Sequence, residues 1–318
     1  MKKIIHLATF IFIINICIVK ANTNTIDSNA VITSIADNGK SVWIGTDKGL
    51  WKVCKKSFKM THFTAENSTL PSNQITCMCV SPDGQVWIGT SNGLVHYDNY
   101  CYINVNTENN LLPDNHITAI ACDANNDIWI GTHCHGVVKI HNGIYTTYNK
   151  ANSQLINDCI FSISTDNAGS VWIGFLNDGL VKINNEVWTT YNAITNLAAK
   201  NISFVSVSTN NEFNLFTGEG EVYHYDGTSF FKMHEAELKA KIISGFSTEG
   251  TNQWICCNDS EIVVVPGNNN QNPLCSSIKS CGEQNFSSLL PVQITNQISC
   301  CTKGLTFQET MKAAIVQK

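Results

Sequence analysis

The sequence predicts an all-β fold, a seven-bladed β-propeller of four-stranded antiparallel blades, and three observations predict it. A tryptophan-centred motif recurs, as SVWIGTDKGLWKV at 41–53, QVWIGTSNGLVHY at 85–97, DIWIGTHCHGVVKI at 127–140 and SVWIGFLNDGLVKI at 170–183. Within each unit apolar and polar residues alternate with the period of a strand. No segment of useful length shows the spacing of a helix.

The repeat marks fall at Trp43, Trp87, Trp129 and Trp172, then at Asn214, Trp254 and Ile298, with successive gaps of 44, 42, 43, 42, 40 and 44 residues. A period near 42 belongs to propeller blades or helical arrays, and the alternation selects the former. Each unit opens on a strand such as ITCMCV or ITAIAC that ends in turn formers. In SPDG, Pro82 presets φ and Gly84 suits a positive φ. The second strand carries the tryptophan. A hairpin at DKG or SNG follows, where Gly49 and Gly93 fit the φ > 0 position. A third strand (LWKV, LVHYD, VVKIH) and a weaker fourth (FKMTHFT, YTTYN, VWTTYN) complete the unit.

A blade sandwiched between two others is apolar on both faces. Val42, Ile44 and Thr46 then face one neighbour while Trp43 faces the other, a spacer between blades rather than a binding aromatic. Gly45 leaves room for another backbone or ring to approach. The wheel closes either through AAIVQ near the C-terminus or through residues 22–30, protecting an open edge.

The first 21 residues place Lys2 and Lys3 before an apolar run that ends at Ala21, the pattern of a cleaved secretory signal. The remaining residues, 22–318, form one propeller. Of the 318 residues 43% are hydrophobic and 14% charged, against about 25% charged in an average soluble protein. Without the signal's three lysines, 17 Lys oppose 25 acidic groups, a net charge of −8 that excludes nucleic acid as a partner. There is no arginine, so no guanidinium clamp on phosphate or carboxylate. Thirteen cysteines remain after the signal. Those flanked by aliphatics, as in ITCMCV and ITAIACD, read as buried thiols that pack like small hydrophobes. Cys275 and Cys281 are spaced for a bridge, and the vicinal pairs Cys256-Cys257 and Cys300-Cys301 read as strand residues on opposite faces.

The stretch LPSNQIT…SPDGQVWIGTSNGLVHYD, residues 70–98, resembles the two-component regulator propeller repeat, found in the exported sensor portions of hybrid histidine kinases and in stand-alone proteins of Gram-negative bacteria. The likeness is strong over residues 31–191 and fades in the later units. It implies a periplasmic or secreted sensor-type or ligand-binding propeller, in several relatives tied to glycan-derived signals. No membrane span, kinase or DNA-binding module follows the propeller here, so the expected role is to hand a ligand to a partner, a membrane sensor kinase or another periplasmic protein.

In propellers the second-to-third strand turns and the links between units share one face. The turns contribute Asp47, Lys48, Ser91, Asn92, His133, Cys134, His135, Asn177, Asp178, Glu219, Asn258, Asp259, Thr302 and Lys303. The links add Asn73, Asp114, Asn115, His116, Asn157 and Asp158. Such amides, carboxylates and imidazoles hydrogen-bond a small polar ligand such as an oligosaccharide. Taken one at a time, most are accounted for by turn chemistry. THCHG, residues 132–136, stands apart: one residue longer than TDKG, it presents two imidazoles and a thiol. Consecutive His-Cys-His does not place three ligands on one ion, so no metal or other cofactor is assigned.

No catalytic pattern is complete. MHEAEL at 233–238 lacks the second histidine of a zinc protease helix, and DANND at 123–127 lacks the glycine and glutamate of a calcium loop. The leading expectation is a non-enzymatic binding module. The alternatives are a streptogramin-lyase-like, metal-assisted enzyme using His116, His133 or His135 as general base, and a protein-interaction scaffold.

Overall fold

The computed structural model describes residues 30–57, 59–166, 168–175 and 178–191, and beyond these the strands and short turns within 202–207, 213–217, 221–226, 228–232, 243–249, 252–257, 262–265 and 276–278. The signal at 1–21, the Ile298 unit, Thr302, Lys303 and the Cys275, Cys281, Cys300 and Cys301 positions lie outside the described residues, as do both candidate closing segments, 22–29 and AAIVQ.

Every regular element among the described residues is a strand, and the strands form six four-stranded antiparallel sheets, each built from consecutive strands. Sheet 1 holds β1 (Ile32–Asp37), β2 (Ser41–Thr46), β3 (Gly49–Cys54) and β4 (Met60–Phe63). Sheet 2 holds β5 (Ile75–Val80), β6 (Val86–Thr90), β7 (Gly93–Tyr97) and β8 (Tyr102–Val105). Sheet 3 holds β9 (Ile117–Cys122), β10 (Ile128–Thr132), β11 (Val137–His141) and β12 (Ile144–Tyr148). Sheet 4 holds β13 (Ile160–Thr165), β14 (Val171–Phe175), β15 (Leu180–Asn184) and β16 (Val187–Tyr191). Sheet 5 holds β17 (Ile202–Val207), β18 (Phe213–Thr217), β19 (Val222–Tyr225) and β20 (Phe230–Lys232). Sheet 6 holds β21 (Ile243–Glu249), β22 (Asn252–Cys257), β23 (Ile262–Val265) and β24 (Ser276–Ile278). Cys256 and Cys257 are consecutive residues of β22, as expected.

The hairpin glycines take the expected left-handed conformation, with φ of 119° at Gly49, 126° at Gly93 and 83° at Gly84. Successive sheets meet through their first strands, β1 with β5, β5 with β9, β9 with β13 and β13 with β17. The tryptophans do what the sequence predicts. Trp43 is fully buried in a cluster with Ile75, Met78, Val86, Ile88 and Val95 of sheet 2. Trp87, Trp129 and Trp172 enter the equivalent faces of sheets 3, 4 and 5. Ile44 and Val42 lie in a separate cluster with Ile32, Trp51, Val53 and Met60 on the opposite face.

A lysine opposite the tryptophan on the third strand caps the indole. Lys52, Lys139 and Lys182 hold their ammonium groups 4.6, 5.1 and 4.6 Å from the Trp43, Trp129 and Trp172 rings. In sheet 2 the partner is His96, stacked on Trp87 at 3.9 Å. Burial holds the His96 imidazole below its ordinary pKa, against the fields of Asp98 and Asp83, so this cap is neutral near pH 7.

Two expectations are corrected. The space above Gly45 is filled by neither a backbone nor a ring, but by the isoleucine that opens the next sheet. A Cβ on Gly45 would lie 2.6 Å from Ile75 Cγ2, and the contact repeats as Gly89 on Ile117 at 2.7 Å, Gly131 on Ile160 at 2.5 Å and Gly174 on Ile202 at 2.7 Å. The residue after each of these isoleucines is a bulge. Pairing shifts between Ile32 and Ser34, between Ile75 and Cys77, and correspondingly in the other four sheets. The bulge turns the isoleucine toward the preceding sheet while the rest of its strand keeps the opposite phase. Gly131→Ala is therefore expected to destabilise the protein by about 1–3 kcal/mol through overpacking. Denaturant midpoints of the variant and the native protein check this.

The second correction concerns the thiols. Cys77 is a buried thiol, as expected, but Cys79 is bonded to Cys122 across a Cα–Cα distance of 6.1 Å. Cys79 pairs with Trp87 and so faces sheet 3, while Cys122 pairs with Ile128 and so faces sheet 2. Both point into one interface, within disulfide reach.

Candidate functional site

At one end of sheets 1 to 4 the second-to-third strand turn is bonded to the link that precedes the same sheet. In sheet 1 the Asp47 N–H donates to the Val31 carbonyl (3.1 Å), and Asp47 Oδ1 accepts the Val31 N–H (2.8 Å). In sheet 2 the Ser91 N–H donates to the Gln74 carbonyl (3.1 Å), and Ser91 Oγ meets Ser72 Oγ at 2.8 Å. In sheet 3 the His133 N–H donates to the His116 carbonyl (3.0 Å). In sheet 4 the Asn157 amide donates to the Asp178 carboxylate. Turn and link also join neighbouring sheets. The Gly93 N–H donates to Asn115 of the link to sheet 3 (2.6 Å), and the Gly136 N–H to Asp158 of the link to sheet 4 (2.8 Å). The turns and links of sheets 2, 3 and 4 therefore form one continuous surface.

Turn chemistry accounts for several predicted residues. Asn73, Asn115 and Asp158 each accept, through Oδ1, the N–H of the residue eight positions earlier (Ala65, Thr107, Lys150) at 2.7–2.8 Å. They brace the links. The Lys48 and Asn92 N–H groups donate to Thr46 Oγ1 and Thr90 Oγ1, both at 3.1 Å, and the Asn92 amide reaches the Pro71 carbonyl at 3.4 Å. Asn177, Glu219, Asn258 and Asp259 lie outside the described residues.

Sheet 3 differs. Its turn, one residue longer than those of sheets 1 and 2, leaves His133, Cys134 and His135 exposed at the tip, above a base closed by Thr132 Oγ1, which donates to the Gly136 carbonyl at 2.8 Å. His133 stacks on His116 with centroids 4.9 Å apart and planes 14° from parallel. His135 Nδ1 lies 3.1 Å from Asp114 Oδ2, while Asp114 Oδ1 accepts the His116 N–H at 3.0 Å. Burial works against the Asp114 charge, but the hydrogen bonds from His116 and His135 and the fields of both imidazoles hold its carboxyl below the ordinary carboxylate range. The result is an ionised carboxylate that positions one imidazole beside a stacked pair, a set of donors and acceptors on an exposed, rigid base.

The sequence reading missed one feature of this surface. Cys134 is bonded to Cys159, two residues after Asn157, so the histidine turn of sheet 3 is tied to the link into sheet 4. The signal was present in the repeat: Cys159 stands where the two preceding links have Gln74 and His116, and Cys134 is the tip of the lengthened turn. Among the described residues no three His, Cys, Asp or Glu side chains are arranged to hold a metal ion.

At the opposite end Asp123 and Asp166 organise the first-to-second strand turns. Asp123 Oδ1 accepts the Asn125 and Asp127 N–H groups at 2.9 Å, so DANND is a strand-to-strand turn, as its sequence suggests. Asp166 accepts the Ala168 and Ser170 N–H groups and, through Oδ2, the Trp172 indole N–H at 3.0 Å.

The comparisons with known proteins agree with this architecture. The two component regulator propeller family matches residues 69–92 and 111–133, the link and tryptophan strand of sheet 2 and the link and second strand of sheet 3. No curated protein matches the chain. Among solved structures, the extracellular domain of a putative hybrid two component system from B. thetaiotaomicron superposes with a TM-score of 0.66 at 23% identity, over 80% of this chain and 35% of that one. The extracellular domain of a putative one component system from the same organism gives 0.65 at 19%, over 82% and 38%. Virginiamycin B lyase from Staphylococcus aureus gives 0.62 at 14%, over 78% and 84%. The chain thus spans little more than a third of the two sensor structures, and at these identities the likeness is one of fold. In its repeat sequence and in the architecture of its sheets, this chain is similar to the two component regulator propellers.

Proposed function

We propose that this protein is an exported, non-enzymatic ligand-binding propeller, a closed wheel of seven sheets that takes a small polar or glycan-derived ligand on its turn-and-link surface and presents it to a signalling partner. The observation that carries the reading is the convergence of Asp114, His116, His133 and His135 on one end of sheet 3, at the centre of the surface continuous over sheets 2–4. Closure is supported by the meeting of successive sheets at their first strands, and by the burial of Ile32, Ile44, Trp51 and Val53 on the face of sheet 1 turned away from sheet 2. Export and a signalling partner are supported by the amino-terminal signal pattern and by the likeness to extracellular domains of two and one component systems.

Thermal-shift and calorimetric titration against a panel of neutral, amino and acidic oligosaccharides tests the reading. At least one is expected to raise the melting temperature, and Asp114→Ala is expected to weaken that ligand about tenfold, the loss of about 1.4 kcal/mol. Silence across the whole panel, or binding indifferent to Asp114 and His133, would count against it.

The lyase reading is favoured by one observation, the fold match that spans 84% of virginiamycin B lyase. Metal analysis of the purified protein separates the two, since a tightly held stoichiometric ion would favour the enzyme.

A further inference from the structure

We propose that the Cys134–Cys159 disulfide is a redox-sensitive latch that fixes the histidine turn, and that a dithiol opens it while leaving the Cys79–Cys122 bond intact. The two bonds hold sheet 3 from its opposite ends. Cys79 and Cys122 join sheets 2 and 3 beside the first-to-second strand turns, and Cys134 and Cys159 join sheets 3 and 4 on the turn-and-link surface.

Their surroundings differ in the property that governs thiol–disulfide exchange, access of a thiolate to sulfur. Cys134 is exposed at the tip of its turn, whereas Cys79 is 8% exposed and packs among Trp87, Ile120, Ile128 and Ile140. Attack on Cys122 from solvent would have to expel the Cys79 thiolate into that apolar cluster, where a thiolate is disfavoured. Attack on Cys134 meets no such obstacle.

A thiolate of the dithiol attacks Cys134 Sγ, the Sγ–Sγ bond breaks, and Cys159 leaves as a thiolate that takes up a proton. The second thiol of the dithiol then attacks the mixed disulfide, releasing Cys134 as a thiol and leaving the dithiol as its own disulfide. Two electrons pass to the protein, and the two protons of the dithiol end on the two cysteines.

The consequence is local. The base of the turn keeps its bonds from Thr132 Oγ1 to the Gly136 carbonyl, from the Gly136 N–H to Asp158 and from the His133 N–H to His116. Only the tip is released, and the tip carries His133, stacked on His116, and His135, held by Asp114. Opening the latch therefore disorders the imidazoles while the sheets stay folded. This latch involves the surface assigned to ligand binding, but its operation requires no ligand, so it survives or fails independently of that assignment.

The full chain is titrated with dithiothreitol, newly formed thiols are alkylated and located by peptide mass spectrometry, and the histidine resonances of isotope-labelled protein are followed in parallel. His116→Gln and His133→Gln assign the pair. The expected result is labelling of Cys134 and Cys159 at a reductant concentration at least about tenfold below that for Cys79 and Cys122. The His133 and His116 resonances shift with that first step and return on reoxidation. The Cys134→Ser/Cys159→Ser variant should show the reduced-state histidine spectrum without added reductant; should it fail to fold, the native titration alone decides. Equal or reversed order of reduction, or selective reduction with unmoved histidine resonances, overturns the latch.

Discussion

Trp172→Ala is expected to lower stability by about 3–5 kcal/mol, the range for deleting a fully buried large aromatic. The indole is 1% exposed and packs on Leu215, Tyr223, Tyr225 and Phe230 of sheet 5, so its loss opens a cavity between two sheets rather than within one. Two polar groups lose a partner as well. Asp166 Oδ2 no longer receives the indole N–H, and the Lys182 ammonium loses the ring 4.6 Å beneath it. Phenylalanine separates the contributions. Trp172→Phe keeps most of the apolar contact and gives up the hydrogen bond to a charged acceptor, worth about 1.5–3 kcal/mol. Trp43 is the internal comparison, because its buried indole N–H has no hydrogen-bond partner among the described residues. Trp43→Phe should therefore cost less than Trp172→Phe. Urea denaturation followed by circular dichroism measures all three. Trp172→Ala within about 1 kcal/mol of the native protein would remove the case for the indole as the spacer between sheets.

Replacing both Cys79 and Cys122 by serine is the second large effect, an expected loss of about 4 kcal/mol in the loop-entropy account, given the 43-residue separation between the two. The bond also closes the bulk of sheet 2 onto sheet 3, so its removal restores to the unfolded chain the freedom of a whole repeat. In addition the variant buries a hydroxyl at position 79 among aliphatic side chains, which adds to the loss. Cys79→Ala/Cys122→Ala removes that second contribution. If the alanine pair matches the native denaturation midpoint with and without reductant, the bond is not stabilising. Reductant at the higher concentration that opens Cys79–Cys122 should lower the native midpoint toward that of the alanine pair.

The sequence by itself determined the repeat, the strand order within each sheet, the hairpin glycines and the orientation of the tryptophans. These are properties of one strand and its immediate neighbours. Alternation with period two puts Trp43 opposite Val42 and Ile44, and Gly49 or Gly93 at a left-handed turn is required by local backbone sterics. The turn-and-link surface was legible for the same reason, since it follows from strand order. Its chemistry was not. Asn73, Asn115 and Asp158, which looked equivalent to His116 or Asp114 as ligand groups, spend their side chains on bracing the links.

Only the tertiary structure decided which side chains meet across sheets. Simple alternation would place Ile75, Cys77 and Cys79 on one face. The bulge after Ile75 sends it into the interface with sheet 1 and sends Cys77 and Cys79 into the interface with sheet 3. That half-turn of phase is why the Gly–Ile contacts and the Cys79–Cys122 bond could not be read along the chain. The pairing of Cys134 with Cys159, and of His133 with His116, likewise depends on how closely one turn sits over a link 17 or 25 residues away. Strand periodicity is enforced by covalent geometry within a few residues, whereas contacts between sheets are fixed by packing, and packing is a property of the assembled core.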